Sequence, residues 1–131
     1  MCEAKIKILP ENVFKPFGNY SHGIFNKKTG LLVSSGQLGI DKNGYIPDSF
    51  IAQTELCFAN IAEILKVARL DLDNIIRVNA FLTERENFKD YMVVRDRVFS
   101  DVSVKPASTL LIVSGFTRAE FLVEVEFIAQ K

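Results

Sequence analysis

One stretch limits what this chain can fold into. Lys105–Lys131 (KPASTLLIVSGFTRAEFLVEVEFIAQK) holds two strand-like runs joined by a short loop. Pro106 pushes the residue before it toward extended geometry. Thr109–Val113 is a β-branched and leucine run, and Gly115–Arg118 make a turn. Phe121–Phe127 then alternates strictly, because strand side chains point to opposite faces in turn. Phe121, Val123, Val125 and Phe127 share one face, and Leu122, Glu124 and Glu126 share the other. The first run, read as the partner strand of the second, is apolar on both faces, with Leu110 and Ile112 on one and Leu111 and Val113 on the other. Such a strand must be covered on both faces.

The upstream chain supplies one cover. Ala4–Leu9 alternates apolar and basic residues as a short strand, and Pro10 ends it. Glu11–Asn19, with Pro16 and Gly18, reads as a loop. Tyr20–Asn26 and Leu31–Leu38 are strands around a Lys27-Lys28-Thr29-Gly30 hairpin turn, and Gly39–Pro47 is turn-rich. Ser49–Leu70 is the first helix, capped by Ser49 or Asp48. Cys57, Phe58, Ile61, Ile64, Leu65 and Ala68 form its apolar face. Asp71–Asp73 breaks it.

Asn74–Thr83 is a strand with Ile76, Val78, Ala80 and Leu82 on one face and Ile75, Arg77, Asn79 and Phe81 on the other. Thr83 and Glu86 have the spacing of a capping box for a second helix running through Ser100. Its buried face is Phe88, Tyr91, Met92, Val98 and Phe99, with Arg95 in part. The order β-β-β-α-β-α-β-β describes one α+β domain over residues 1–131. Its two helices cover one face of the sheet. The other face, with Ile75, Phe81 and part of Thr109–Val113, needs a cover that a further copy of the chain supplies most simply. A homo-oligomer packed sheet against sheet is therefore expected.

Composition removes other options. Sixteen basic and sixteen acidic residues cancel, so the chain lacks the electrostatic footprint of a nucleic-acid partner. No apolar run approaches membrane-spanning length and the N-terminus has no apolar signal core, so no membrane partner is expected and the cytoplasm is the expected compartment. Cys2 and Cys57 have no metal-ligand spacing and make no disulfide framework. Cys57 reads as core and Cys2 as a terminal thiol open to oxidation. His22, the only histidine, has no catalytic or ligating partner at a recognisable spacing and reads as a surface or interface strand residue.

Seven segments, taken in order, carry a resemblance. They are Tyr20-Ser21, Leu32–Gln37 (LVSSGQ), Gln53-Thr54, Asn60-Ile61, Phe81–Thr83 (FLT), Pro106-Ala107 and Val123–Ala129 (VEVEFIA). Together the chain resembles the RidA/YjgF family of reactive-intermediate deaminases, also known as endoribonuclease L-PSP or translation-inhibitor proteins. The resemblance implies a chorismate-mutase-like fold and a homotrimer with small-molecule clefts between subunits. It also implies hydrolysis of an imine or enamine to a keto acid and ammonia, with no metal or organic cofactor. That chemistry needs a cation for the substrate carboxylate, an activated water and groups that move protons.

By this resemblance Tyr20 and Glu124 are the catalytic candidates, a pocket tyrosine and a water-positioning carboxylate. Ser35 and Gly36 line the cleft and Phe88 walls it, whereas Glu126 reads as structural. Family members grip the carboxylate with an arginine directly after the Pro-Ala pair, and here Ser108 occupies that position. Met92 stands in place of a pocket asparagine and Leu110 lies two residues past the missing arginine, which makes the pocket less polar. Ser108 and Thr109 remain as neutral hydrogen-bonding groups, and Arg77, Lys105 or Arg118 as sources of a replacement cation. Two functions stay open. One is a RidA-like hydrolase whose substrate lacks a carboxylate or meets a different cation. The other is a non-catalytic trimer that binds a small metabolite or a partner. A ribonuclease is a weaker third reading, given zero net charge and a single histidine.

Overall fold

The computed structural model describes residues 4–131, so Cys2 lies outside the described residues. The elements are β1 (Lys5–Ile8), β2 (Gly23–Asn26), β3 (Leu31–Ser34), β4 (Gln37–Leu38), α1 (Phe50–Val67), β5 (Ile75–Leu82), α2 (Phe88–Val98), β6 (Ala107–Ile112) and β7 (Val123–Gln130). They form one mixed sheet in the order β1-β2-β3-β7-β5-β6, with β4 pairing β7. The α+β class and element order follow the alternation of the sequence, with the two-residue β4 added.

Local chemistry explains the boundaries. Ser49 caps α1 by accepting a hydrogen bond from the Ala52 N–H at 3.1 Å. The β2–β3 turn forms because Asn26 Oδ1 accepts from the N–H groups of Lys28 (2.9 Å) and Thr29 (3.1 Å), while Gly30 adopts φ +79°. The expected Thr83–Glu86 capping box is not formed. Arg85–Asn87 make a 3-10 turn instead, and α2 starts from Asn87 with no side-chain cap.

Both helices lie on one face of the sheet. Cys57, Phe58, Ile61, Ile64 and Leu65 of α1 and Tyr91 and Val94 of α2 meet Val78, Ala80 and Leu82 of β5 and Val123, Val125, Phe127 and Ala129 of β7 in one buried cluster. Gly23 lets α1 close on the sheet, since a Cβ there would stand 3.1 Å from Ile64 Cγ2. Two buried amides fasten loops to α1. Gln53 donates to the carbonyls of Pro47 (2.9 Å) and Glu120 (2.8 Å) and accepts from the Leu122 N–H (2.9 Å). Asn60 donates to the carbonyls of Leu38 (3.3 Å) and Ile40 (3.2 Å). The Gln53-Thr54 and Asn60-Ile61 segments of the resemblance are thus fold-holding groups.

Two expectations about strands need correction. Thr109–Val113 and Phe121–Phe127 do not pair with each other: β6 runs parallel to β5, and β7 lies antiparallel on the opposite side of β5. In β5 a register shift between Ile75 and Arg77 reverses the start of the strand. Ile75 is therefore buried on the helix side, whereas Ile76 is 51% exposed. Past the bulge the alternation holds. Arg77, Asn79 and Phe81 lie on the open face with Thr109 and Leu111 of β6 and Glu124, Glu126 and Ile128 of β7. No helix among the described residues is long and apolar enough to cross a membrane.

Candidate functional site

Glu124 owes its setting to a break in the ladder. β3 pairs with β7 up to Ile128, and β4 resumes the pairing at Val125 and Glu124, so Ser35 and Gly36 lift away between them. The Ser34 hydroxyl closes part of the gap by accepting from the Phe127 N–H at 2.9 Å. Gly36 packs directly on the Glu124 side chain, and a Cβ there would collide with its carboxylate. Partial burial, and then the charge of Glu126, raise the Glu124 pKa. Glu126 itself accepts from Asn79 Nδ2 at 3.1 Å. Of the two carboxylates, Glu124 keeps the freer hydrogen-bonding capacity.

The neighbouring groups are positioned by the Glu11–Asn19 loop. Tyr20 is 46% exposed, and its hydroxyl accepts from the Phe17 N–H at 3.3 Å. Tyr20 and Gly36 line one small cleft with Phe14, Phe17 and His22. Ser35 Oγ donates to the Ser21 carbonyl at 2.6 Å, which spends its proton on the backbone. His22 is buried, against its expected surface or interface strand position, and it precedes β2. Its Nε2 lies 2.6 Å from the Phe14 carbonyl, and its Nδ1 lies 3.2 Å from Gln37 Nε2. A carbonyl can only accept, so Nε2 carries the hydrogen and Nδ1 accepts from the amide. Both ring nitrogens are committed, Nε2 to the loop and Nδ1 to Gln37 of β4.

The remaining candidates lie elsewhere. Phe88 opens α2 and is 43% exposed, while Met92 and Leu110 pack against the core. Ser108 pairs with Val78 and so lies on the helix side of the edge strand, whereas Glu124 pairs with Phe81 on the open side. Within one chain, Gly36 touches Glu124 and shares a cleft with Tyr20, Ser35 bonds to the residue after Tyr20, and Ser108 belongs with α2. Thr109 separates from Ser108 because adjacent strand residues face opposite ways. It lies on the open face and accepts from Arg77 Nη1 at 2.9 Å. Cys57 is buried as expected, and burial followed by the Glu124 charge pushes its thiol pKa up. Among the described residues, no group of three or more His, Cys, Asp or Glu side chains is placed to hold a metal ion.

The three cations considered from the sequence are each engaged. Arg77 bonds to Thr109 on the open face, and Arg118 pairs with Glu120 at 3.3 Å over the Phe121 ring. The Lys105 ammonium donates to the carbonyls of Phe99 (2.8 Å), Ser100 (3.3 Å) and Val102 (2.6 Å). It closes the C-terminal end of α2, where cations are favoured. The cation nearest the Ser108 hydroxyl is one the sequence reading passed over: Arg95 Nη1 donates to Ser108 Oγ at 3.1 Å. The signal was present. Phe88, Met92, Arg95 and Phe99 recur at helical spacing along one stripe of α2.

A small α+β chain with one face of its sheet free of helices, and with its polar candidates divided between the two faces, defines the class. The chain belongs to the RidA/YjgF (endoribonuclease L-PSP) family. The family model described as Endoribonuclease L-PSP matches residues 10–131. A RutC family protein of Aquifex aeolicus is 36% identical over 118 residues, covering 88% of this chain and 91% of that one. A solved structure of a protein of unknown function of the conserved Rid family, YyfA from Yersinia pestis, superimposes with TM-score 0.90 at 28% identity, covering 98% and 100% of the two chains. RidA from an Antarctic Psychrobacter gives TM-score 0.89 at 25% identity, covering 96% and 99%.

Proposed function

We propose that this chain works as a homotrimer that hydrolyses a small imine or enamine in clefts between copies. The observation that carries the reading is the division of the candidate residues: Glu124 and Ser108 hang from opposite faces of one sheet. A site that uses both must be completed by a second copy. Phe81, Leu111, Val33 and Ile128 on the open face offer an apolar surface for that copy. Family membership supports a small-molecule cleft at the junction.

The chemistry follows from Glu124. As a carboxylate it takes a proton from water while the water oxygen bonds to the imine carbon and the C=N π pair moves to nitrogen. A second proton completes the amine of the resulting carbinolamine. Return of the Glu124 proton to nitrogen lets ammonia leave, and the carbinolamine hydroxyl gives its proton back to the solvent donor that supplied the second one as the C–O bond becomes a carbonyl. One imine and one water give one carbonyl compound and one ammonia; an enamine is first protonated on carbon. A carboxyl with a raised pKa suits both halves of this exchange. The Tyr20 hydroxyl accepts from the Phe17 N–H and keeps its own proton to donate.

The test is release of 2-oxobutanoate from enzymatically generated 2-iminobutanoate. Purified protein should exceed the spontaneous rate, and Glu124→Gln should lose about 100-fold or more of that excess. No acceleration by the wild type would reduce the function to ligand binding. RNA cleavage is disfavoured by the zero net charge and by the commitment of both nitrogens of the only histidine to structural contacts.

A further inference from the structure

We propose that Arg95 of α2, held in place by Ser108, is the group through which this chain binds the carboxylate of a small 2-oxo or 2-imino acid. The proposal rests on the cleft reading above but names a cation that the position after Pro106-Ala107 does not provide. Arg95, Asp96, Phe99, Lys105, Pro106 and Ser108 line a pocket of about 210 Å³ that is open to solvent. That is below the roughly 300–1,000 Å³ of sites for drug-sized ligands and suits a compact metabolite. Its wall combines the apolar surfaces of Phe99 and Pro106 with a localised charge.

Arg95 is oriented before any ligand arrives. Nη1 donates to Ser108 Oγ at 3.1 Å, while Nε (3.2 Å) and Nη2 (2.9 Å) donate to Asp96 Oδ1. The guanidinium retains unused N–H donors, and its side chain is only 20% exposed. A partly desolvated, pre-oriented guanidinium is well suited to a carboxylate. Asp96 is 68% exposed, so an incoming carboxylate can displace it into water at little cost. Lys105 lines the same cavity with its hydrogen bonds taken by three carbonyls. It contributes positive field without competing for the ligand. Two cations against one carboxylate leave the cavity net positive.

Serine at position 108 is therefore part of the device. A short hydroxyl on β6 leaves room for the α2 guanidinium and steers it. An arginine at 108 would confront Arg95 with a like charge.

Calorimetric titration with 2-oxobutanoate and with its methyl ester tests the assignment in the full chain. The acid should bind and the neutral ester should bind at least ten-fold more weakly. Arg95→Gln should weaken acid binding about 10- to 100-fold. Arg95→Gln combined with Ser108→Arg should recover most of it, and Ser108→Arg alone should not improve it. Asp96→Asn should tighten binding several-fold, a gain that a misfolded variant cannot imitate. Equal binding of acid and ester, no acid binding by the wild type, or unchanged binding by Arg95→Gln would overturn the proposal. Arg95-dependent acid binding without imine hydrolysis would uphold it and remove the hydrolase reading instead.

Discussion

Replacing Glu124 with glutamine should stabilise the protein while lowering the proposed hydrolysis about 100-fold or more. Glu124 and Glu126 project from the same face of β7, two residues apart, hence about 6.6 Å along the strand. Coulomb's law at that spacing gives a repulsion of about 0.6–2.5 kcal/mol for effective dielectric constants between ~80 and ~20. Exposure and salt favour the lower part, so a gain of about 1 kcal/mol is expected. For a chain of this size that is a rise of roughly 3–5 °C in Tm.

The pH dependence has a definite direction. The folded state raises the Glu124 pKa, so the folded protein binds this proton more tightly than the unfolded chain does. Below the unfolded pKa both states are protonated and wild type and variant should match. As pH rises through the folded pKa, the wild type loses stability relative to Glu124→Gln. Thermal unfolding at pH 4 and pH 7.5, at fixed protomer concentration because assembly couples to stability, reads the difference directly. A variant less stable than wild type at pH 7.5 would refute the reasoning. It would mean that a cation from a neighbouring copy neutralises Glu124.

Gly39→Ala should cost about 1–3 kcal/mol by urea unfolding, because its Cβ would sit 2.5 Å from Gln53 Cβ and 2.7 Å from Gln53 Cα. Arg69→Gly should raise Tm by a few degrees, since Arg69 follows α1 at φ +61°, a conformation that costs a non-glycine residue about 1 kcal/mol. Lys105→Met should lose about 1.5–3 kcal/mol in the same assay by freeing three carbonyls after α2. Leu111→Asp, which places a charge on the open face, should shift sedimentation from the proposed trimer to monomer; unchanged assembly would show that another surface mediates it.

Wherever the physics is local, the sequence alone determines the outcome. The alternation of Phe121–Phe127, the Ser49 cap and the stripe of Cys57, Phe58, Ile61, Ile64 and Leu65 all depend on neighbours within a few residues. Each appears in the structure as the spacing requires. The family signature is legible as a series of residue types in order, although Gln53 and Asn60 satisfy buried carbonyls 67 and 22 residues away and Gly36 admits the distant Glu124 carboxylate. Thr83 and Glu86 show the limit, because a 3-10 turn displaced the helix start that their spacing encodes.

The tertiary structure decided what depends on distant partners. Strand order is one such property: β6 and β7 follow each other in the chain yet flank β5, because the parallel partner of β5 must cross over through α2. The extra residue at Ile76 is another, since a one-residue slip exchanges faces and only the pairing with β7 reveals it. The same holds for the candidate site. His22 looked isolated because the Phe14 carbonyl and Gln37 lie 8 and 15 residues away. Arg95, the proposed cation, was not among Arg77, Lys105 and Arg118 because it comes from a helix 13 residues before Ser108 and reaches that hydroxyl only through packing. Periodicity reports which face a side chain takes; which group waits across the gap is settled only when two elements meet.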